Sequence, residues 1–379
     1  MSYPEPSRAA GLARLAAITP GLGRRYAEGR NHDPGPGQPQ AVSGLSPYLR
    51  HRLLTEAETL AAVIGAHGAH DAERFIQEVF WRAYWKGWLE QRPGVWQAYR
   101  RDMTPALDVG RSGIACFDAW TEELIETGTL HNHARMWFAS IWIFTLGRPW
   151  QAGADFFLRH LLDGDAASNT LSWRWVAGLH TLGKHYVARA ENIARYTGGR
   201  FNPAGLLNEA PAPLAEAAPP PAPIPLPAAP APPAGEVALL LHEDDLAPES
   251  LPLGAARVVT IAGIAVPERR SPAGCAPRVA DFTRAALADA LDRAARHFGA
   301  PAQALAPAEL PAWAAAHGRP VVTPWAPVGW TAETLAAAAA AGVALHRLRR
   351  DWDSACWPLA TAGFFKFRAQ IPALLGRLV

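Results

Sequence analysis

The chain has 379 residues, 49% of them hydrophobic and 18% charged, with 36 Lys and Arg against 34 Asp and Glu. This length fits about two domains, and the hydrophobic share excludes a disordered chain. A net charge of +2 gives no strong nucleic-acid footprint, although a local patch can lie under a near-neutral sum.

The three cysteines, Cys116, Cys275 and Cys356, are isolated, which predicts a reducing compartment and no disulfide framework. No uncharged apolar run is long enough for a bilayer, and Met1-Ser-Tyr-Pro-Glu-Pro lacks the pattern of a secretory leader. The expectation is a cytoplasmic protein without a membrane anchor. The unusual number is 15 Trp against 7 Tyr and 3 Met, with ten of the tryptophans between Trp81 and Trp175. Core filling alone does not call for so many indoles, each with an N–H that needs a partner.

In chain order, the first predicted element with a clear period is a helix over Phe75–Glu90. Phe75, Val79, Trp81, Trp85, Trp88 and Leu89 recur along one stripe, Asp71 is the expected N-cap, and Pro93-Gly94 the stop. Cys116–Glu126, His131–Leu146 and Gln151–Leu162 read as further helices, with Gly128, Gly147 and Gly164 expected to close them as C-caps. Between Pro211 and Pro233, 11 of 23 residues are proline, so this stretch is neither helix nor sheet and reads as a polyproline spacer. The predicted organisation is a helical domain over 1–205, a Pro/Ala-rich linker over 206–235 and a small α/β domain over 236–379. In the last, Val237–Leu241, Val258–Ile261, Val321–Thr323 and Val343–Leu348 have strand character, and Val279–His297 and Ala332–Ala341 are Ala-rich helices. The alternation predicts a largely parallel, Rossmann-like sheet, without a phosphate-binding glycine fingerprint at its first strand.

Six segments of the first domain, in order, resemble the flavin domain of DNA photolyases and cryptochromes. They are Tyr26-Ala-Glu-Gly-Arg30, Ser43-Gly-Leu-Ser-Pro-Tyr-Leu49, Glu78-Val-Phe-Trp81-Arg82, His131-Asn132-His-Ala-Arg135-Met136, Leu161-Leu-Asp163-Gly-Asp165 running on to Asn169, and Ser172-Trp173-Arg-Trp175. The resemblance covers roughly residues 20–180 and implies an all-helical fold that binds FAD. It places Tyr26, Ser43, Leu45, Ser46, Arg82, Arg135, Asp163, Asp165 and Asn169 at the cofactor, with Asp163 pairing Arg135 beside the ring and Asn169 facing its N5. Serines ahead of Pro47 also suit an ordinary N-cap, and Asp163 and Asp165 an ordinary N-cap pair before the next segment.

The same resemblance implies that Trp81 and Trp175 wall a flipped-out pyrimidine dimer, with Glu78, Asn132 and Met136 touching it. Flat apolar faces suit an unstacked lesion. Asn132 and Met136 stand where (6-4) photolyases place histidines, which favours the cyclobutane dimer. Trp173 and Trp150 match the inner steps of an electron-transfer chain, and Trp96 is the candidate for its outer step. Read without the family, each of these tryptophans is a core residue; Trp85, Trp88, Trp120, Trp137 and Trp142 keep that reading.

Two departures stand out. After Trp175 the usual stretch is replaced by Val-Ala-Gly-Leu-His180-Thr-Leu-Gly-Lys184-His185-Tyr, whose cations either bind phosphate or coat the surface. The family's α/β antenna domain precedes the flavin domain, whereas here an α/β segment follows it. His242-Glu-Asp-Asp-Leu246 and Leu345–Phe367 faintly resemble the antenna's opening strand and end. A permuted, trimmed antenna domain and an α/β domain of other ancestry both remain open, as does an antenna chromophore. The expected activity is blue-light repair of UV-damaged DNA; the rival is a photoreceptor that signals to a protein partner.

Overall fold

The computed structural model describes residues 4–105, 109–216 and 219–379. Residues 1–3, in the stretch read for a leader, and 217–218, inside the expected linker, lie outside them.

The first part is helical. Its elements are α1 Arg8–Ile18, α2 Arg24–Gly29, α3 Ser46–Arg50, α4 Glu56–Asp71, α5 Glu73–Glu90, α6 Pro93–Asp102, α7 Ala115–Thr127, α8 Asn132–Ser140, α9 Trp150–His160, α10 Ala166–Ala177 and α11 Ala190–Tyr196. The second part is a five-stranded sheet with helices: β1 Gly235–His242, β2 Ala256–Ile264, α12 Pro277–Phe298, β3 Ala302–Ala304, α13 Leu310–His317, β4 Val321–Pro324, α14 Trp330–Ala340 and β5 Leu345–Leu348. The short helices α15 Asp351–Cys356, α16 Phe364–Arg368 and α17 Ile371–Leu378 follow. The strand order is β3-β2-β1-β4-β5 and every pairing is parallel, the doubly wound layout that strand–helix alternation dictates. Central β1 is buried from Val237 onwards, which explains its unbroken apolar run.

Several local expectations are corrected. Asp71 does not cap α5. It ends α4 and pairs with Arg24 at 3.0 Å, and Ala72 joins the two helices. Pro93 starts α6 at its first turn, where a missing N–H costs nothing. Gly128 and Gly147 are left-handed as expected of helix ends, but Gly164 is not; it lies in a turn whose carbonyl accepts from Arg50 Nε at 2.7 Å. The helix expected over His131–Leu146 changes to a π-turn over Ile141–Thr145.

The proline stretch takes neither helix nor strand over its described residues, but it is not a free spacer. Leu214 N–H donates to Ala177 O at 3.0 Å, Ile224 N–H to Gln91 O at 2.8 Å, and Arg92 Nε to Pro221 O at 3.0 Å. It is strapped along the helical part. The two parts also share one apolar core. Trp352 stacks on Phe80 with ring centroids 4.8 Å apart. Trp357 packs on Gly87, where a Cβ would come within 2.6 Å of the Trp357 Cα. Only glycine on α5 permits that approach.

Candidate flavin and lesion site

Helix α5 carries Glu78, Trp81, Arg82 and Lys86, α8 carries Arg135, and α10 opens at Asp165, whose carboxylate accepts from Ser168 N–H at 2.8 Å. Arg135 grips Asp163 with two bonds of 3.0 Å, the fork-to-carboxylate geometry that gives both strength and orientation. Burial pushes the Asp163 carboxyl up, but Arg135, Arg82 and the Ser46 hydroxyl together hold it below the usual range. Asp165 is also held well below it: burial raises it, and Lys86, Arg82 and Arg50 outweigh that. Both acids are therefore anionic at neutral pH.

The cations around them are incompletely satisfied. Among the described residues, Arg82 Nη1 and Lys86 Nζ are buried without a hydrogen-bond partner, Lys86 lying 3.8 Å from Asp165. Buried donors of this kind call for an acceptor. The carbonyls and phosphates of a flavin dinucleotide are acceptors of the right chemistry, so the residues present fit FAD. Asn169 donates its amide N–H to Ala154 O at 2.8 Å, which leaves its carbonyl oxygen as the end available to a ligand.

Tyr26 is buried in α2, edge-on to Phe75. Ser43 Oγ accepts from Leu45 N–H at 3.3 Å, and Leu45 is fully buried as the N-cap of α3. The Leu45 amide is thus already engaged, and the hydroxyl of Ser46 is turned towards Asp163. Glu78 is paired with Arg30; burial pushes its carboxyl up and Arg30 opposes this.

The expected wall residues each have an aromatic companion. Trp81 lies face to face with Phe364 of α16, centroids 3.5 Å apart and planes at 12°. Trp175 stacks on Tyr186 at 5.6 Å. Among the described residues no ring contact joins Trp81 to Trp175. Asn132 is exposed at the start of α8 and Met136 half-buried one turn on. His133 is stacked on Trp137 at 4.1 Å.

Trp173 is buried edge-on to Trp142 and Phe157, its ring lying where Gly153 leaves room; a Cβ there would be 2.3 Å away. Trp150 stacks on Tyr99 at 5.4 Å, Tyr99 lies 5.5 Å from Trp96, and the Trp96 indole N–H donates to Glu333 of α14 at 2.7 Å. Trp85, Trp88, Trp120, Trp137 and Trp142 are buried core residues.

Sequence reasoning missed a buried charge cluster that joins the two parts. Arg50 meets Asp244 at 2.5 Å, while Arg52 meets Asp353 at 2.5 Å, Asp245 at 3.2 Å and Glu56 at 3.2 Å. Arg350 holds Asp245 with bonds of 2.6 and 2.7 Å. His51 Nδ1 lies 2.6 Å from Glu243 O, and burial with nearby Arg50 and Arg270 pushes its ring pKa well down. The available signal was compositional: Glu243-Asp-Asp245 comes just after the apolar run Val237–Leu241, where charge is unexpected unless paired. Because Arg50 also bonds Gly164, the cluster reaches the turn that carries Asp163 and Asp165.

Residues 75–206 match the family described as the FAD binding domain of DNA photolyase. A deoxyribodipyrimidine photo-lyase of Streptomyces griseus is 36% identical over 151 residues, covering 37% of this chain and 33% of that protein. One from Thermus thermophilus is 34% identical over 191 residues, covering 47% and 44%. The chain spans less than half the length of these relatives. Among solved structures, a bacterial class III photolyase from Agrobacterium tumefaciens has 25% identity and a TM-score of 0.40, and a cryptochrome from Synechocystis sp. PCC6803 has 24% and 0.44. Each comparison covers 51% of this chain and 43% of the other. Over residues 75–206, the helical part is thus similar to the FAD binding domain of DNA photolyases.

Proposed function

We propose that the protein is a photolyase-like lyase that uses FAD and blue light to split cyclobutane pyrimidine dimers in UV-damaged DNA. The observation that carries this reading is the buried Arg135–Asp163 fork flanked by the unpartnered donors of Arg82 and Lys86. When bound in its reduced form, FAD supplies an excited-state electron donor; the protein's share is binding, orientation and electrostatics.

In this reading Arg82 and Lys86 give their free N–H groups to cofactor oxygens, with Tyr26, Ser43, Leu45 and Ser46 bordering it. Arg135 neutralises Asp163, so that no net negative charge from that acid opposes an electron-rich ring. Asp165 fixes the start of α10 and thereby the position of Asn169, whose carbonyl oxygen can accept a hydrogen bond from a protonated ring nitrogen. Glu78, held by Arg30, presents a carboxyl to the pyrimidine edge, Asn132 and Met136 line the approach, and Trp81 and Trp175 supply flat faces. Trp173, Trp150 and Trp96 serve photoreduction.

The test loads the protein with FAD, reduces it, and irradiates it with blue light together with an oligonucleotide carrying one dimer. The expected result is dimer reversal without net redox change; no reversal with fully reduced flavin refutes the reading. A photoreceptor that signals through a protein partner is the second reading, favoured by one observation, the Phe364 ring already lying on Trp81. It predicts equal affinity for damaged and undamaged DNA and a light-dependent change in partner binding.

A further inference from the structure

The segment that brings Phe364 onto Trp81 also builds a surface. Phe364 and Phe367 point inward, Phe367 meeting Phe80 and Tyr84 with centroids 6.2 and 5.6 Å away. The period of α16 then turns Phe365, Lys366 and Arg368 outward. Phe365 is 78% exposed, the most exposed of the large apolar side chains among the described residues. The Arg368 guanidinium lies 5.3 Å over its ring, which holds a positive charge beside an aromatic face.

A second segment reaches the same edge. The Tyr84 hydroxyl donates to Ala362 O at 2.8 Å and lies 3.0 Å from His180 Nε2, so one side chain clamps the loop after α10 to the C-terminal segment. His180 itself carries no charge to a ligand: it is wedged against Tyr84, Trp85 and Trp88, and burial pushes its pKa down to about 3. It positions the loop, whose tip exposes Leu182 and Lys184. His185 is spent on Pro211 O at 3.0 Å.

Charge sorting completes the picture. No Asp or Glu occurs from Ala166 to Ala190 or from Ser354 to Val379, whereas these stretches hold Lys184, Lys366 and Arg368 at exposed positions. A chain that is almost neutral overall thus presents cations from two stretches without acids and a bare aromatic tip on the segment that packs on Trp81. Phosphates and unstacked bases are the ligand chemistry that such a surface suits. We propose that Lys184, Phe365, Lys366 and Arg368 form a rim that grips the single strand of DNA flanking the site at Trp81, with phosphates on the cations and one base on Phe365. The proposal rests on the repair reading for the identity of the partner and adds the C-terminal segment as the part that holds the strand.

The full-length, flavin-loaded protein is titrated with a fluorescent single-stranded oligonucleotide carrying one dimer, and with its undamaged copy, across a salt series. Phe365→Ala is expected to weaken binding about tenfold. Lys366→Gln combined with Arg368→Gln is expected to lower the slope of log affinity against log salt by about 1.4. Flavin absorbance, melting temperature and photoreduction rate should stay as in wild type, and Arg296→Gln, at an exposed position of α12, should change nothing. Variants that match wild type in affinity and salt slope overturn the rim. If wild type does not prefer the dimer, the repair reading falls, and the rim is then judged on the undamaged strand by the same variants. If wild type binds neither oligonucleotide at low salt, both fall.

Discussion

Arg52→Met tests whether the buried cluster fastens the α/β part to the flavin site. Arg52 is 1% exposed and has a positive φ of 48°, a conformation seldom taken by a side chain of that size. Its guanidinium touches Glu56, Asp245 and Asp353. Asp245 keeps its two bonds to Arg350 when Arg52 is lost, so the cost falls on Asp353 and Glu56, both nearly inaccessible to water. Removing one partner of a buried pair costs about 3–5 kcal/mol, mostly from the charge left behind. Against a typical stability of about 5–15 kcal/mol this is a large fraction. Urea unfolding followed by circular dichroism should show a lower midpoint, with tryptophan fluorescence changing first if α15 leaves before the rest. Arg52→Met with Asp353→Leu should recover part of the loss, because only Glu56 then remains without its counter-charge. A loss under about 1 kcal/mol, or a double variant no better than the single one, would refute the reasoning.

Glu90 makes a pH prediction. Its carboxylate accepts from Trp325 Nε1 at 3.2 Å and Val328 N–H, across the same boundary, and burial first, then the nearby Asp353, push its pKa up to about 7 despite those donors. A carboxyl raised in the folded state binds more protons there than in the unfolded chain, so stability falls as pH rises from about 4.5 to 7, by at most about 3 kcal/mol. Glu90→Gln should flatten melting temperature over that window; an unchanged slope would assign the effect elsewhere. Gly87→Ala should cost about 1–3 kcal/mol through overpacking against Trp357 and loosen α16 from Trp81, read as lower urea resistance and altered tryptophan emission. Asp163→Asn leaves Arg135 without its counter-charge, and we expect loss of bound flavin with destabilisation of about 2–3 kcal/mol; a variant that remains fully yellow and stable would remove the fork from the cofactor site.

The parts of this molecule legible in the sequence are those with a strong local cause. Phe75–Glu90 is readable because its apolar stripe repeats at the helical period, and β1 because a strand buried on both faces is a plain apolar run. The Arg135–Asp163 contact, 28 residues apart in sequence, was reachable only through family resemblance, since neither residue carries a local signal of the other. Helix boundaries failed where two local rules compete. Asp71 looks like a cap but ends a helix that joins α5 through a single alanine. The proline stretch was legible as unable to form helix or sheet, but not as strapped to Gln91 and Ala177, because those bonds use backbone groups that composition does not describe.

The tryptophans of the second part give the last step. Trp325 donates to Glu90, Trp330 donates to Glu243 at 2.8 Å beneath the guanidinium groups of Arg50 and Arg270, Trp352 stacks on Phe80, and Trp357 fills the notch at Gly87. Four of the five indoles that composition could not explain are therefore at the boundary with the helical part. An indole suits that place because it buries a large apolar area and can still offer one N–H, as Trp325 does to Glu90 across the boundary. This bears on the α/β part whatever its ancestry. A detachable module would present a polar face to its neighbour, whereas here Asp244 and Glu243 serve cations that lie next to Asp163 and Asp165. Ending the chain before β1 would leave Arg50 and Arg52 without most of their partners. The helical part would then lose the charge balance around Asp163 and Asp165, the candidate flavin site, along with the cover over α5.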